Sequence, residues 1–146
     1  MTDSVSTPAY IVNSLKREFK VDAFYDPCPF NQSFDPVKHK DGLTTEWGEY
    51  TFCNPPYSNP KPWFKKAHEQ WLQGKTVILF AKLSFLGRKY AKRYVPGAEI
   101  RIFSYKVKFP GYANCNPRFT NVLIIWHKDK ISNKYSLVEK CEDVHR

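Results

Sequence analysis

Asn54-Pro55-Pro56-Tyr57 puts an amide, two prolines and a phenol side by side. Each proline fixes φ and lacks an N–H donor, so the segment cannot continue as a paired strand. The expected outcome is a rigid rim carrying two acceptors, the Asn54 side-chain oxygen and the Pro55 backbone oxygen, with the Tyr57 ring beside them. Such a rim suits a planar molecule that carries an amino group, adenine for example. The amine would donate to both oxygens while Tyr57 covers the ring face.

The flanking residues say what positions this rim. Glu49-Tyr50-Thr51-Phe52 reads as a short strand of aromatic and β-branched residues, and Asn59-Pro60-Lys61-Pro62-Trp63-Phe64 reads as a helix start. The tetrapeptide therefore lies at the carboxyl end of a strand, where open α/β sheets place their sites. Upstream, Thr7 as N-cap and Pro8 at the first helical position open a helix to about Lys20, with Ile11, Leu15 and Phe19 on its apolar face. Val21 to Tyr25 is expected to be the first strand, and Gln32 to Thr45 a loop. A helix from Pro60 to Gln73 then precedes a buried strand over Thr76–Ala81. A second helix is expected over Phe85–Tyr94, strands over Glu99–Phe103 and Phe119–Trp126, and a strand or turn over Lys106–Phe109.

The order of these motifs resembles the small phage-type DNA adenine methyltransferases over roughly residues 7 to 126. The residues that carry the resemblance are Thr7-Pro8, Asp26-Pro27-Cys28, Asp41-Gly42-Leu43, Trp47 and Asn54-Pro55-Pro56-Tyr57-Ser58, followed by Trp63, Lys66-Ala67 and Lys106 to Phe109. The resemblance implies a compact Rossmann-like α/β sheet flanked by helices, with a C-terminal antiparallel portion. It implies S-adenosylmethionine as methyl donor and the adenine exocyclic amine in DNA as acceptor. Asn54, Pro55, Pro56 and Tyr57 are then catalytic. Thr7, Pro8, Asp26, Pro27, Cys28, Asn31, Asp41, Leu43 and Asn54 would line the donor site, with Asp26 facing the donor's positive charge. The glycine-rich donor loop of larger methyltransferases is missing after residue 25, and the donor region is short. Other readings stay open: a cytosine, RNA or protein-amide methyltransferase, or a degenerate fold kept as a basic nucleic-acid-binding or virion-associated protein.

Length and charge bound the rest. At 146 residues and 17.2 kDa, the chain suits one domain over 7–127, with 1–6 disordered and 128–146 a polar extension that carries a candidate strand at 135–138. The four cysteines have neither Cys-x-x-Cys nor paired zinc spacing, and the four histidines are scattered, so no metal site is expected. Free thiols and no visible signal peptide suggest the cytoplasm of a bacterial cell or an infected host, a virion or a nucleus being alternatives. The formal charge of +9 is uneven. Up to Ser58 there are five Lys/Arg against eight Asp/Glu; beyond it, eighteen against six. The second part is expected to face a polyanion through Lys61, Lys65, Lys66, Arg88, Lys89, Lys92, Arg93, Lys106, Lys108 and Arg118.

Overall fold

The computed structural model describes residues 7–28, 42–109 and 118–139. Helix α1 spans Ala9–Phe19, β1 Tyr50–Cys53, α2 Lys61–Leu72 and β2 Thr76–Lys82. A 3-10 helix over Leu83–Gly87 leads into α3, Lys89–Tyr94. Strands β3 (Glu99–Phe103), β4 (Asn121–Trp126) and β5 (Tyr135–Val138) complete the chain. The five strands form one open sheet in the order β1-β2-β4-β3-β5. β1 runs parallel to β2, β4 is antiparallel to both β2 and β3, and β5 is parallel to β3. The α/β class and the antiparallel portion are as expected.

Alternation along β2 divides the core between the two faces of the sheet. Val77, Leu79 and Ala81 pack with Trp63, Phe64 and Ala67 of α2, Tyr94 of α3, and Val122, Ile124 and Trp126 of β4. Ile78 and Phe80 instead meet Ile11 and Leu15 of α1, together with Val107, Phe109, Leu123 and Ile125. Every residue of β4 is buried, as a strand paired on both sides and covered on both faces must be.

Several expectations are corrected. Val21 to Tyr25 does not form a strand; only Tyr25 bridges, in parallel, to Thr51. Lys106 to Phe109 belongs to neither a strand nor a turn, and it inserts Val107 and Phe109 into the α1-side core. The expected 85–94 helix breaks at Arg88, whose ψ of 156° is extended. Thr7 does not cap α1, which starts with no side-chain cap bond. Residues 135–138 do form a strand, and it joins this same sheet beside β3.

A charged cluster ties α1 to the far end of the sheet. Glu99 Oε1 lies 2.7 Å from His127 Nε2, and Arg101 Nε donates to Glu99 Oε2 at 2.8 Å. Arg101 also donates through both terminal nitrogens to Glu18, each at 2.6 Å. The His127 bond, joined by Arg101, holds the Glu99 carboxyl at a pKa of about 2 against the opposing effect of burial.

Candidate active site

The turn after β1 carries the site. Asn54 and Pro55 are buried, while Pro56 and Tyr57 are half-buried. Because β1 and β2 are parallel, this turn shares a rim with Lys82, the 3-10 helix and the start of α2. Asn54 Nδ2 donates to Thr7 Oγ1 at 3.1 Å, which orients the amide and turns its oxygen away from Thr7. The Thr7-Pro8 and Asn54–Tyr57 motifs of the sequence thus meet in space, 47 residues apart.

The segments between them close in on the same place. Asp26 Oδ1 accepts from Cys28 N at 3.0 Å, folding Asp26-Pro27-Cys28 into a tight turn. Gly42 sits against that turn, where a Cβ would lie 2.0 Å from the Pro27 carbonyl oxygen, so only glycine fits. Trp47 Nε1 donates to Gly42 O at 2.7 Å and its ring stacks on Trp63, which fixes the second segment to α2. Leu43 and Cys28 pack on the same core as Tyr57. The Asp26 carboxylate reaches solvent, yet burial on its protein side raises its pKa, with the Cys28 N–H pulling the other way. Burial also pushes the Cys53 thiol up, and nearby Cys28 and Asp26 add to it. That thiol is a poor nucleophile. Asn31 and Asp41 lie outside the described residues.

Tyr57 is held by rings and a cation. Its ring meets Phe85 and Phe119 at centroid distances of 5.9 and 5.6 Å, both nearly perpendicular. Lys82 Nζ lies 4.7 Å from the Tyr57 centroid and 4.5 Å from that of Phe119. Burial pushes the Tyr57 phenol up to about 12, Asn121 opposing the shift. Even so, neither the Tyr57 hydroxyl nor Asn121 Oδ1 has a partner in good hydrogen-bond geometry. The Asn121 amide is pinned from its other end, Nδ2 donating to Ala81 O at 3.2 Å. Lys82, Phe119 and Asn121 are site residues that the sequence alone does not single out. The signal for Lys82 is its place as the polar end of the apolar run Val77 to Ala81, and for Asn121 its place at the head of another.

Tyr57 supports a graded prediction. Tyr57→Phe removes a buried hydroxyl that lacks a well-made bond, so activity and stability should hold. Tyr57→Ala removes the ring and should cost about 1–3 kcal/mol of target-base stacking. Single-turnover assays compare the two; identical behaviour would rule Tyr57 out as the stacking surface.

The basic residues divide into groups. Lys61 and Lys65 are exposed on α2 and Lys66 is half-buried. Lys106 Nζ donates to Thr120 Oγ1 at 3.1 Å, while Lys108 and Arg118 are exposed. Arg88, Lys89, Lys92 and Arg93 are exposed around α3, with Arg88 over the Phe85 ring and Arg93 over that of Tyr94. Among the described residues, no group of three His, Cys, Asp or Glu side chains could hold a metal ion.

A family model described as DNA N-6-adenine-methyltransferase (Dam) matches residues 1–85, more than half the chain. The chain belongs to the Dam family. A DNA N-6-adenine-methyltransferase of Haemophilus phage HP1 is 32% identical over 84 residues, covering 53% of this chain. The chain matches 48% of that Dam protein, about half its length. The crystal structure of a predicted O-methyltransferase from Agrobacterium tumefaciens is 20% identical with a TM-score of 0.40, covering 75% of this chain and 48% of its own. That likeness is too distant to bear on function. The Dam match takes in α1, the Asp26 turn, β1, the Asn54–Tyr57 turn, α2 and β2.

Proposed function

We propose that the chain transfers a methyl group from S-adenosylmethionine to the exocyclic amine of adenine in DNA. The observation that carries this reading is the Thr7–Asn54 bond, which fixes the Asn54 amide at the strand end, beside the Asp26 turn. Exocyclic amines are weak nucleophiles because their lone pair is delocalised into the ring. Accepting hydrogen bonds from the amine at Asn54 Oδ1 and the Pro55 oxygen would favour a more tetrahedral nitrogen and aim its lone pair. Thr7, by holding the amide nitrogen, sets which side of Asn54 faces the amine. The base leaves the duplex at a cost of a few kcal/mol, partly offset by stacking on Tyr57.

The residues present fit the donor. Asp26 is a carboxylate in a partly desolvated turn, with no ion-pair partner among the described residues, so a cation binding beside it would stabilise its charged form. Thr7, Pro8, Cys28 and Leu43 complete the surround. When bound, the donor supplies a methyl group activated by its sulfonium.

Calorimetric titration of S-adenosylmethionine and of an adenine-containing duplex tests the proposal, on the native chain and on Asp26→Asn. The variant should lose donor affinity and keep its DNA affinity. Equal donor affinity in the two proteins would remove Asp26 from the donor site. DNA binding with no donor binding in the native chain would favour a degenerate nucleic-acid-binding fold. Methylation of a cytosine, RNA or peptide probe in preference to adenine in DNA would reassign the substrate.

A further inference from the structure

A groove of about 760 Å³ runs between α3 and the β3–β5 edge of the sheet, away from Asn54. Every residue that lines it, from Leu86 to Tyr135, follows the segment matched by the Dam family. Arg88, Lys89 and Lys92 form one lip and Lys134 stands on the other, with no carboxylate among the lining residues. The floor is apolar. Ile100 pairs with Tyr135 and Ile102 with Leu137, so these four side chains share one face of the sheet. Tyr135 and Leu137 are 72% and 64% exposed, leaving the outer half of that stripe uncovered.

We propose that this groove holds a single-stranded stretch of nucleic acid. Four cations without a counter-charge among the lining residues call for a polyanion, which disfavours a second copy of a chain that carries +9. The apolar floor decides the form of that polyanion. A duplex keeps its base faces stacked inside and offers mainly phosphates to a protein surface, so it would leave Ile100, Ile102 and Tyr135 unused. A single strand offers phosphates to the lips and base faces to the floor, with Tyr135 as a stacking surface. The site is independent of methyl transfer, and it would bind the strand whether or not the Asn54 turn is active.

The test is fluorescence anisotropy with a labelled single-stranded oligodeoxynucleotide and the same sequence annealed as a duplex, over a range of salt. The proteins are the full chain, Tyr135→Ala and the double variant Lys92→Gln/Lys134→Gln. Tyr135→Ala should lose about tenfold in single-strand affinity and leave duplex affinity unchanged. The double variant should flatten the single-strand salt slope by roughly 1.4 units, about 0.7 for each phosphate no longer neutralised. A thymine-only single strand, which offers no adenine to the Asn54 turn, should show the same dependence on Tyr135, which separates this result from any failure of the methyl-transfer reading. Native-like single-strand binding by Tyr135→Ala and the double variant would overturn the proposal. So would an equal loss on the duplex, or sedimentation showing a dimer that Tyr135→Ala dissociates.

Discussion

Asn54→Ala is expected to lower methyl-transfer turnover by about a hundredfold or more, the scale of removing one preorganised polar group from the reacting centre. Donor binding should change little, since Asp26 and its turn stay in place. The Thr7 hydroxyl offers a second handle on the same effect. Its bond to Asn54 Nδ2 orients the amide, so Thr7→Val should lower turnover while Asn54 itself is retained. Radiolabelled methyl transfer to an adenine-containing duplex measures both variants. Full activity in Asn54→Ala would end the catalytic assignment.

The second large effect concerns stability in acid. Glu99 is almost fully buried, and its carboxyl is held at about 2 by His127 and Arg101. In the unfolded chain a glutamate titrates near about 4.3. A carboxyl whose pKa is depressed on folding adds stability that is complete above the unfolded value and is lost as pH falls through the folded one. The contribution should therefore fade between about pH 4.3 and 2. At neutral pH, Glu99→Gln should cost on the order of 2–3 kcal/mol, because Arg101 and His127 lose their anionic partner and Arg101 keeps only Glu18. Urea denaturation of both proteins at about pH 7 and about pH 3 checks this. The gap between them should narrow in acid, and a gap of the same size at both values would show that Glu99 contributes through packing alone.

What can be read from the sequence divides along physical lines. The Asn54–Tyr57 turn is legible because prolines punctuate a strand end by local sterics. β2 and β4 are legible because continuous apolar runs mark strands buried on both faces. Distant pairing is not. Thr7 looks like a helix cap, since its bond to Asn54 depends on how α1 folds back over the sheet. Val21 to Tyr25 has strand composition, yet only Tyr25 reaches a neighbour. The place of Lys82 depends on Phe119, far along the chain, and the groove depends on β5 choosing a parallel partner in β3. The break at Arg88 directly follows Gly87, a residue that weakens a helix interior, while the apolar and basic side chains on either side suit a continuous helix.

The position of β4 has a consequence for how the chain is made. This strand lies between β2 and β3, both of which leave the ribosome before it. Until residues 121–126 arrive, the β2 run Val77 to Ala81 presents an open, apolar edge. Such an edge is a template for pairing with another chain. The sheet therefore closes late, through pairings that span some forty residues, from Lys82 to Asn121 at their nearest. Expression cut off at residue 85, where the family match ends, would leave β2 without β4 and yield a chain prone to aggregation. The half of this protein that the family match covers would thus depend on the other half to stay soluble.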